Sequence, residues 1–359
     1  MRVRLARAED DAAIARLLAT APMDGPVQVV LSCGDSFFRA LEIEGEDAVT
    51  CVAEHEGRIV GVGSGVARDA YVSGRPARVR YLGSLRLAPS ARGTRALPRG
   101  FALLRSALAD RGDELQLTTI LDGNGPARRT LAAARAGLPP YRPVASLITY
   151  LVPTGRRLTR FGHPVQRADN AEELADFLNR VGSRRDLFPV VRSSDFTGPG
   201  GRFPGLGLAD VFVRREGGRL VGALACWDTR ARRQVRIAGY QGALRWLRPL
   251  ADRAGRCLGW GGLPPPGREL ALCFGALGVV AGSAVEHFGD LLAAVAAESA
   301  TRGGAWLALT LDARDPLCGV CAGLRARRQR STLYQVGGSV GGLSAWEGPG
   351  PLHLEAALL

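Results

Sequence analysis

An internal repeat constrains the fold of this chain more than any other feature of its sequence. Three segments recur in the same order, at residues 7–18 and 167–178, 57–61 and 218–222, and 111–119 and 302–310. The first pair has acidic residues followed by apolar positions at helical spacing, and the other two pairs have glycine-bearing turns followed by apolar strands. Recurrence in one order predicts that a single α/β unit occurs twice.

The length of the chain agrees with two domains. With 359 residues, the chain is long enough for two cores of ordinary size. Residues 153–164 are polar and basic and are bracketed by prolines, which is typical of a boundary. The sequence therefore predicts one domain over residues 1–152 and another over residues 163–359. The second repeat carries extra residues at 243–267, and their Pro/Gly-rich part predicts an exposed loop of the kind that often serves as a lid or a binding loop.

The most informative single segment for function is residues 81–108. It has the pattern of an apolar strand, a turn containing Pro89, an arginine- and glycine-bearing loop, and a helix that carries Phe101, Leu104 and Leu108. A strand that leads through a loop into a helix directs several backbone N–H groups, and the positive end of the helix dipole, toward one point. This geometry binds phosphate. An ordinary strand–loop–helix unit without a ligand is the alternative.

Residues 81–108 resemble the signature of the GNAT acyltransferases, in which Arg/Gln-x-x-Gly-x-Gly/Ala follows a strand and a short apolar-Pro turn. Arg92 fills the first position of the signature, whereas Arg95 and Leu97 stand where the glycines are expected. The resemblance covers nearly the whole chain. It implies an α/β (α+β) fold class, with two tandem GNAT-like domains that each form a mixed, mostly antiparallel sheet flanked by helices.

The resemblance also implies that acetyl-CoA is bound as a cosubstrate by the first domain. The pyrophosphate would lie against the loop, and the pantetheine would follow the edge of the fourth strand. The residues expected to contact it are Leu85, Leu87, Arg92, Gly93, Thr94, Arg95, Ala96, Leu97, Asn124 and Arg128. By simple alternation along the strand, Leu85 and Leu87 should share one face with Tyr81.

The resemblance implies that the acceptor amine attacks the thioester directly. Asn124 and Ala127 match the family pattern at the end of the fifth strand, but Leu131 occupies the position of the usual tyrosine acid. Tyr141, a short way downstream, is the predicted substitute. Asp122 is the predicted proton acceptor, with a turn-forming aspartate as its alternative role.

The second repeat is predicted to be degenerate in CoA binding. Residues 275–283, which we align with the phosphate loop, contain no arginine, and their apolar content is more typical of a core strand and a helix start. We therefore expect one CoA per chain, held by the first domain, with the second domain as a scaffold.

Composition narrows the possible partners. The formal net charge is +13, and all 47 basic residues are arginines. They are scattered and are not interleaved with aromatic residues, so nucleic acid is not the expected partner. The charge suits anionic CoA or an acidic substrate. Cys318 and Cys321 form a lone CxxC without a second ligand pair, so no metal is expected.

No segment has the pattern of a signal peptide or a membrane span. The longest uncharged run, residues 270–285, is too short and too rich in glycine to cross a bilayer. We expect a cytoplasmic protein without a membrane partner.

Two classes of function remain open at this point. One is an N-acyltransferase acting on the amine of a small molecule or peptide. The other is a non-catalytic, degenerate tandem GNAT-like protein that binds a ligand or partner. The sequence does not identify the acceptor, the acyl chain length or the oligomeric state.

Overall fold

The computed structural model describes residues 1–20, 22, 27–111, 115–133, 135–155, 158, 161–198, 200–258, 262–282, 285–337, 346 and 350–358. Gly112 of the third repeated segment and Ser283 of the second loop lie outside the described residues. So do parts of the predicted boundary segment and of the Pro/Gly-rich loop.

The first repeat contains seven strands and four α-helices among these residues. In chain order they are β1 (Arg2–Leu5), α1 (Asp11–Ala19), β2 (Val27–Ser32), α2 (Phe37–Leu41), β3 (Asp47–His55), β4 (Arg58–Val72), β5 (Arg75–Leu87), α3 (Ala96–Leu108), β6 (Leu115–Leu121), α4 (Gly125–Leu131) and β7 (Tyr141–Pro153).

The second repeat follows with seven strands and five α-helices in the described part of the chain. They are β8 (Val165–Arg167), α5 (Ala171–Gly182), α6 (Ser194–Thr197), β9 (Val211–Glu216), β10 (Arg219–Trp227), β11 (Gln234–Tyr240), α7 (Leu244–Cys257), β12 (Leu272–Val280), α8 (Val285–Thr301), β13 (Trp306–Asp312), α9 (Cys318–Ala322) and β14 (Arg327–Val336).

Local sequence explains where the paired helices begin. Asn170 caps α5, because its side-chain oxygen accepts from the backbone N–H groups of Glu172 and Glu173. The apolar positions of α1 and α5 face inward, as their spacing predicts, and Ile14, Leu17, Leu18, Leu174, Phe177 and Leu178 are all buried.

Twelve strands form one sheet in the order β1-β3-β4-β5-β6-β14-β7-β13-β12-β10-β9-β8. The pairing is antiparallel except at β5–β6 and at β12–β13, which are parallel. Each repeat thus contributes three antiparallel pairings and then one parallel pairing. Counted inward from either edge of the sheet, the equivalent strands of the two repeats follow in the same order.

The two repeats exchange their last strands. β14, from the end of the second repeat, lies between β6 and β7, and β7, from the first repeat, lies between β13 and β14. The predicted division, at residues 152 and 163, falls at the end of β7, which runs to Pro153. That division remains a prediction, and the exchange means that each repeat completes the sheet of the other.

A second contact between the repeats lies outside the large sheet. β2 and β11 form a two-stranded antiparallel sheet, with Val27 opposite Tyr240 and Ser32 opposite Gln234. α7 occupies the first half of the predicted extra segment and packs on β11 through Leu244 and Ala251. This arrangement brings the residues that precede β11 next to the first repeat.

Candidate functional site

The candidate site of the first repeat is the gap between β5 and β6. The two strands are paired from Val79 opposite Leu115 to Tyr81 opposite Leu117. Beyond that point β5 continues along β4 and β6 continues along β14, so the two strands part. The gap therefore opens at the end of the sheet from which the phosphate loop leaves.

A β-bulge shapes the wall of this gap on β5. Ser84 and Leu85 together lie opposite Gly63 of β4. Ser84 has a φ of +53°, which is uncommon for a residue with a side chain. Because of the extra residue, Leu82 and Leu85 both pack near Phe101 of α3.

The bulge corrects one prediction from sequence. Simple alternation placed Leu85 on the face of Tyr81, whereas Leu85 packs on the α3 side, where Leu82 also packs. Tyr81 belongs to the opposite face, where it lies in one buried cluster with Leu354 and Leu358 of the C-terminal segment. A bulge adds one residue, so it reverses the facing of every position after it.

The second repeat has the same bulge at the equivalent place. Leu277 and Gly278 together lie opposite Leu224, and Leu277 has a φ of +55°. There the N–H of Leu277 donates to Oε1 of buried Glu355 at 3.0 Å and not to the neighbouring strand. A carboxylate oxygen of the C-terminal segment therefore accepts a hydrogen bond from the bulge of the second repeat.

The segment aligned in sequence with the phosphate loop is mainly a core strand, as its apolar content indicated, so the alignment is shifted by one element. Most of residues 275–283 belong to β12 and match β5, not the loop that follows it. The connection from β12 to α8 covers only residues 281–284, whereas that from β5 to α3 covers residues 88–95. The second repeat thus has a shorter connection, of which residues 283 and 284 lie outside the described part.

The loop between β5 and α3 has the geometry of an anion cradle. Gly93 has a φ of +75°, and Thr94 ties the loop by donating its hydroxyl to the carbonyl of Ala91 at 2.7 Å. The same hydroxyl accepts from the N–H of Ala96. Among the described residues, the backbone N–H groups of Gly93, Thr94, Arg95 and Leu97 have no hydrogen-bond partner.

The side chains around the cradle are positively charged. Arg92 and Arg95 are exposed, and neither forms an ion pair with a carboxylate within the described ranges. Arg99, one turn into α3, reaches only the backbone carbonyl of Met1 at 3.4 Å. The cradle therefore combines unpaired N–H groups with cationic side chains, which is the environment that a diphosphate requires.

An apolar cluster lines the gap next to the cradle. It joins the two walls of the gap to α3, α4, β7 and β14, and its members are Leu85, Leu97, Phe101, Ile120, Ala127, Leu131, Ala132, Tyr141 and Tyr334. Leu87 lies outside this cluster, half-buried at the end of β5. The structure thus places Leu85, Leu97 and Tyr141 in one cluster.

The side chain of Tyr141 is enclosed by other aromatic rings. Its ring lies edge-on to Phe101 and to Tyr334, with centroids 6.5 and 6.0 Å away. Burial raises the pKa of Tyr141 well above its ordinary value. Tyr141 therefore remains protonated at neutral pH. Leu131, which occupies the position of the usual tyrosine acid, packs in the same cluster as Tyr141.

The residues after β6 serve mainly to begin α4. The side-chain oxygen of Asn124 accepts from the N–H of Ala127 at 3.1 Å and caps the helix. Asp122 is exposed, and its Oδ1 accepts from the hydroxyl of Thr332 on β14 at 3.0 Å. Exposed Arg128 reaches the carbonyl of Asp122 at 3.4 Å. The carboxylate of Asp122 is thus directed toward β14, on the far side of β6 from the gap.

A carboxylate that sequence analysis missed lies beside the gap. Glu44, between α2 and β3, is 3% exposed, and its Oε2 has no hydrogen-bond partner. A Cβ built on Gly83, the residue before the bulge, would lie 3.3 Å from that oxygen. Burial raises the pKa of Glu44 above its ordinary value, although Arg233 opposes the shift.

The other oxygen of Glu44 is held by the second repeat. Arg233, immediately before β11, donates to Oε1 of Glu44 at 2.8 Å, and both side chains are more than nine-tenths buried. Arg68 of β4 carries a further positive charge near Glu44 and Glu355, and burial lowers its pKa. In sequence Glu44 belongs to the acidic run 42–47, which gave no sign that it is buried.

Comparison with solved structures places the fold. The chain is similar to Saccharomyces cerevisiae N-myristoyltransferase with bound myristoyl-CoA, with a TM-score of 0.60 and 9% identity over 98% of this chain and 89% of that one. It also matches a probable N-acyltransferase from Enterococcus faecalis V583, with a TM-score of 0.48 and 10% identity over 92% of this chain and 72% of that one. A GCN5-related N-acetyltransferase from Anabaena variabilis gives a TM-score of 0.48 and 11% identity over the same shares.

No protein-family model and no curated protein matches the sequence. The likeness to the yeast enzyme, which has a GNAT fold, shows the fold and not the activity. The predicted fold class is confirmed: this chain has the GNAT fold, built as a mixed, mostly antiparallel sheet flanked by helices.

Proposed function

We propose that the chain is an N-acyltransferase that binds acyl-CoA in its first repeat and transfers the acyl group to an amine. The observation that carries this proposal is the cradle of unpaired N–H groups between residues 93 and 97, placed at the mouth of the gap between β5 and β6. The pyrophosphate would bind at the cradle beside Arg92, and the pantetheine would follow β5 past Leu87 and Leu85. Acetyl-CoA is the simplest cosubstrate.

The internal comparison of the two bulges suggests how the thioester is held. In the second repeat the bulge N–H, that of Leu277, donates to a carboxylate oxygen. We assign the equivalent N–H of Ser84 to the thioester carbonyl oxygen, which becomes negatively charged as the amine attacks. The nitrogen–carbon bond forms and the carbon–sulfur bond breaks, so the acyl group passes to the amine and CoA leaves as the thiolate.

Two protons must move in this reaction. The attacking amine loses one, and we assign it to the unpaired Oε2 of Glu44, which lies beside Gly83 and has a raised pKa. Asp122 is the acceptor predicted from sequence, and its bond to Thr332 favours Glu44 over it. Tyr141, which lies in the apolar cluster with Leu85 and Leu97, is the proposed donor to the leaving thiolate.

The first test is binding. A ligand at a hundred times its Kd stabilises a protein by about 2.7 kcal/mol, so acetyl-CoA should raise the melting temperature of the parent. Arg92→Glu reverses a charge beside the diphosphate and should abolish the shift. The matched control is Arg219→Glu, because Arg219 is also exposed but lies at the start of β10 in the second repeat. If Arg92→Glu binds acetyl-CoA as the parent does, the cradle is misplaced.

The second test is transfer. Thiol release from acetyl-CoA is followed with a panel of small-molecule and peptide amines, and product is identified by mass. Glu44→Gln should retain acetyl-CoA binding and lose about 10²–10⁴-fold in rate, as expected for a lost general base. Asp122→Asn is the matched variant, and it should change the rate little. A reversed order of the two effects would assign the base to Asp122.

A non-catalytic role is the second candidate. It is favoured by Arg95 and Leu97, which replace the signature glycines, and by Leu131 at the usual tyrosine position. Acetyl-CoA binding without transfer to any amine of the panel would support this candidate over the enzyme.

We further propose that the two repeats are unequal. The second repeat has the shorter connection after β12, and its bulge N–H is already bonded to Glu355. The second repeat also contributes Arg233, which forms an ion pair with Glu44 of the first repeat. The second repeat therefore serves as the partner that completes one site.

A further inference from the structure

α7 has an apolar face that nothing in the described structure covers. Its inner side packs on β11, where Leu244 and Ala251 join the cluster around Tyr240. Its outer side carries Trp246 at 77%, Leu247 at 53% and Leu250 at 70% exposure. These positions follow helical spacing and form one strip.

The strip continues past the end of the helix. Exposed Ala254 and Cys257 lie on the same side of α7, and Leu258, just beyond the helix, is 46% exposed. Most of the large exposed apolar side chains in the described ranges therefore gather at α7. Single exposed leucines are ordinary, but a contiguous strip of this kind marks an interaction surface.

The flanks of the strip are basic. Arg245 and Arg253 are exposed beside it, and the guanidinium carbon of Arg245 lies 5.3 Å from the centroid of the Trp246 ring. The one carboxylate of the helix, Asp252, is directed inward, where it accepts from the N–H of Leu263 at 2.7 Å. The outer face thus combines apolar and cationic side chains without an opposing negative charge from its own helix.

We propose that the outer face of α7 binds the surface of an anionic lipid bilayer. An amphipathic helix with tryptophan and leucine on one side and arginines at its edges lies in the bilayer interface with its axis parallel to the surface. The net charge of +13 adds attraction to anionic headgroups. This inference does not depend on the proposed transferase activity.

This mode differs from the one that the sequence argued against. No described helix is long and apolar enough to cross a membrane. A helix that lies on the surface needs only one apolar face, so the lack of a spanning helix among the described residues does not exclude it.

The size of the strip favours a lipid surface over a second copy of the chain. The four large side chains expose on the order of 500 Å² together, judging from the area that aromatic and aliphatic side chains bury. A stable protein interface takes about 800 Å² from each partner. Insertion into an interface has no such threshold, because each apolar side chain contributes separately.

The test is binding of the full chain to large unilamellar vesicles, followed by flotation. Vesicles of phosphatidylglycerol and phosphatidylcholine should bind the parent at least tenfold more strongly than vesicles of phosphatidylcholine alone, and salt should weaken the binding. Trp246→Ser with Leu250→Ser should lower the partition coefficient at least tenfold. Replacing Arg245 by glutamine should lower it about fivefold.

The matched control is Leu5→Ser, which removes an apolar side chain of 45% exposure from β1, at one edge of the twelve-stranded sheet, and should change nothing. An environment-sensitive dye on Cys257, the exposed cysteine, should shift to the blue on anionic vesicles. Equal binding to both kinds of vesicle, or binding that the double variant retains, would overturn the proposal. So would a dimer in sedimentation that the double variant dissociates.

Discussion

The buried pair of Arg233 and Glu44 offers a quantitative test of how the two repeats are joined. Its side chains are 9% and 3% exposed, and Nη1 lies 2.8 Å from Oε1. Arg233→Met keeps most of the side-chain volume but removes the charge. It should lower the free energy of unfolding by about 3–5 kcal/mol, because a buried carboxylate loses its partner.

The next residue provides the control. Arg232 pairs with Glu42 across the same junction, but these side chains are 23% and 50% exposed. Arg232→Met should therefore cost about 0.2–1 kcal/mol. Taking about 2 °C per kcal/mol for a chain of this size, thermal unfolding should fall by about 6–10 °C in the first variant and by about 2 °C or less in the second.

The pH dependence has a definite sign. Burial raises the pKa of Glu44, and loss of Arg233 would raise it further. Between the unfolded pKa of about 4.3 and the raised folded pKa, the folded state binds the extra proton, so stability falls as pH rises. The deficit of Arg233→Met should accordingly be smallest near pH 4–5 and grow toward pH 8.

A neutral partner should rescue the variant. Adding Glu44→Gln to Arg233→Met removes the unpaired charge and should recover most of the lost stability at pH 8. Equal melting temperatures for Arg233→Met and Arg232→Met, or no recovery on adding Glu44→Gln, would refute the reasoning from burial.

Three further predictions concern ligand stoichiometry, packing and acid stability. Isothermal titration with acetyl-CoA should give one site per chain, and two equivalent sites would contradict the unequal repeats. Gly182→Ala should cost about 1–3 kcal/mol in thermal unfolding, because the new Cβ would lie 2.2 Å from the ring of Phe188, whereas Gly319→Ala, with nothing within 4 Å, should be neutral or slightly stabilising. Burial raises the pKa of Asp290, but hydrogen bonds from His163 and nearby backbone N–H groups outweigh it and lower the pKa overall. The parent should therefore be more stable than Asp290→Asn above about pH 5 and lose that advantage below about pH 4. A stability difference that stays constant across this pH range would contradict the assignment.

The features that depend on neighbours along the chain could be predicted from the sequence. The ordered repeat indicated the α/β fold class, and the strand–loop–helix pattern placed the cradle at residues 92–97. Helix spacing identified Ile14 and Leu174 as core positions, and both are fully buried. These features follow from local propensity and side-chain periodicity, which a sequence shows directly.

The tertiary structure decided which strands pair and which charges are buried. Apolar alternation predicts a strand, but it does not say that β14 lies between β6 and β7. The bulge at Ser84 depends on pairing with Gly63, so it reversed the predicted facing of Leu85. Glu44 and Arg233 are separated by 189 positions, and each belongs to a polar run that suggests exposure. They meet because the β2–β11 sheet closes the junction of the repeats, and only that packing excludes the water that would otherwise solvate both charges.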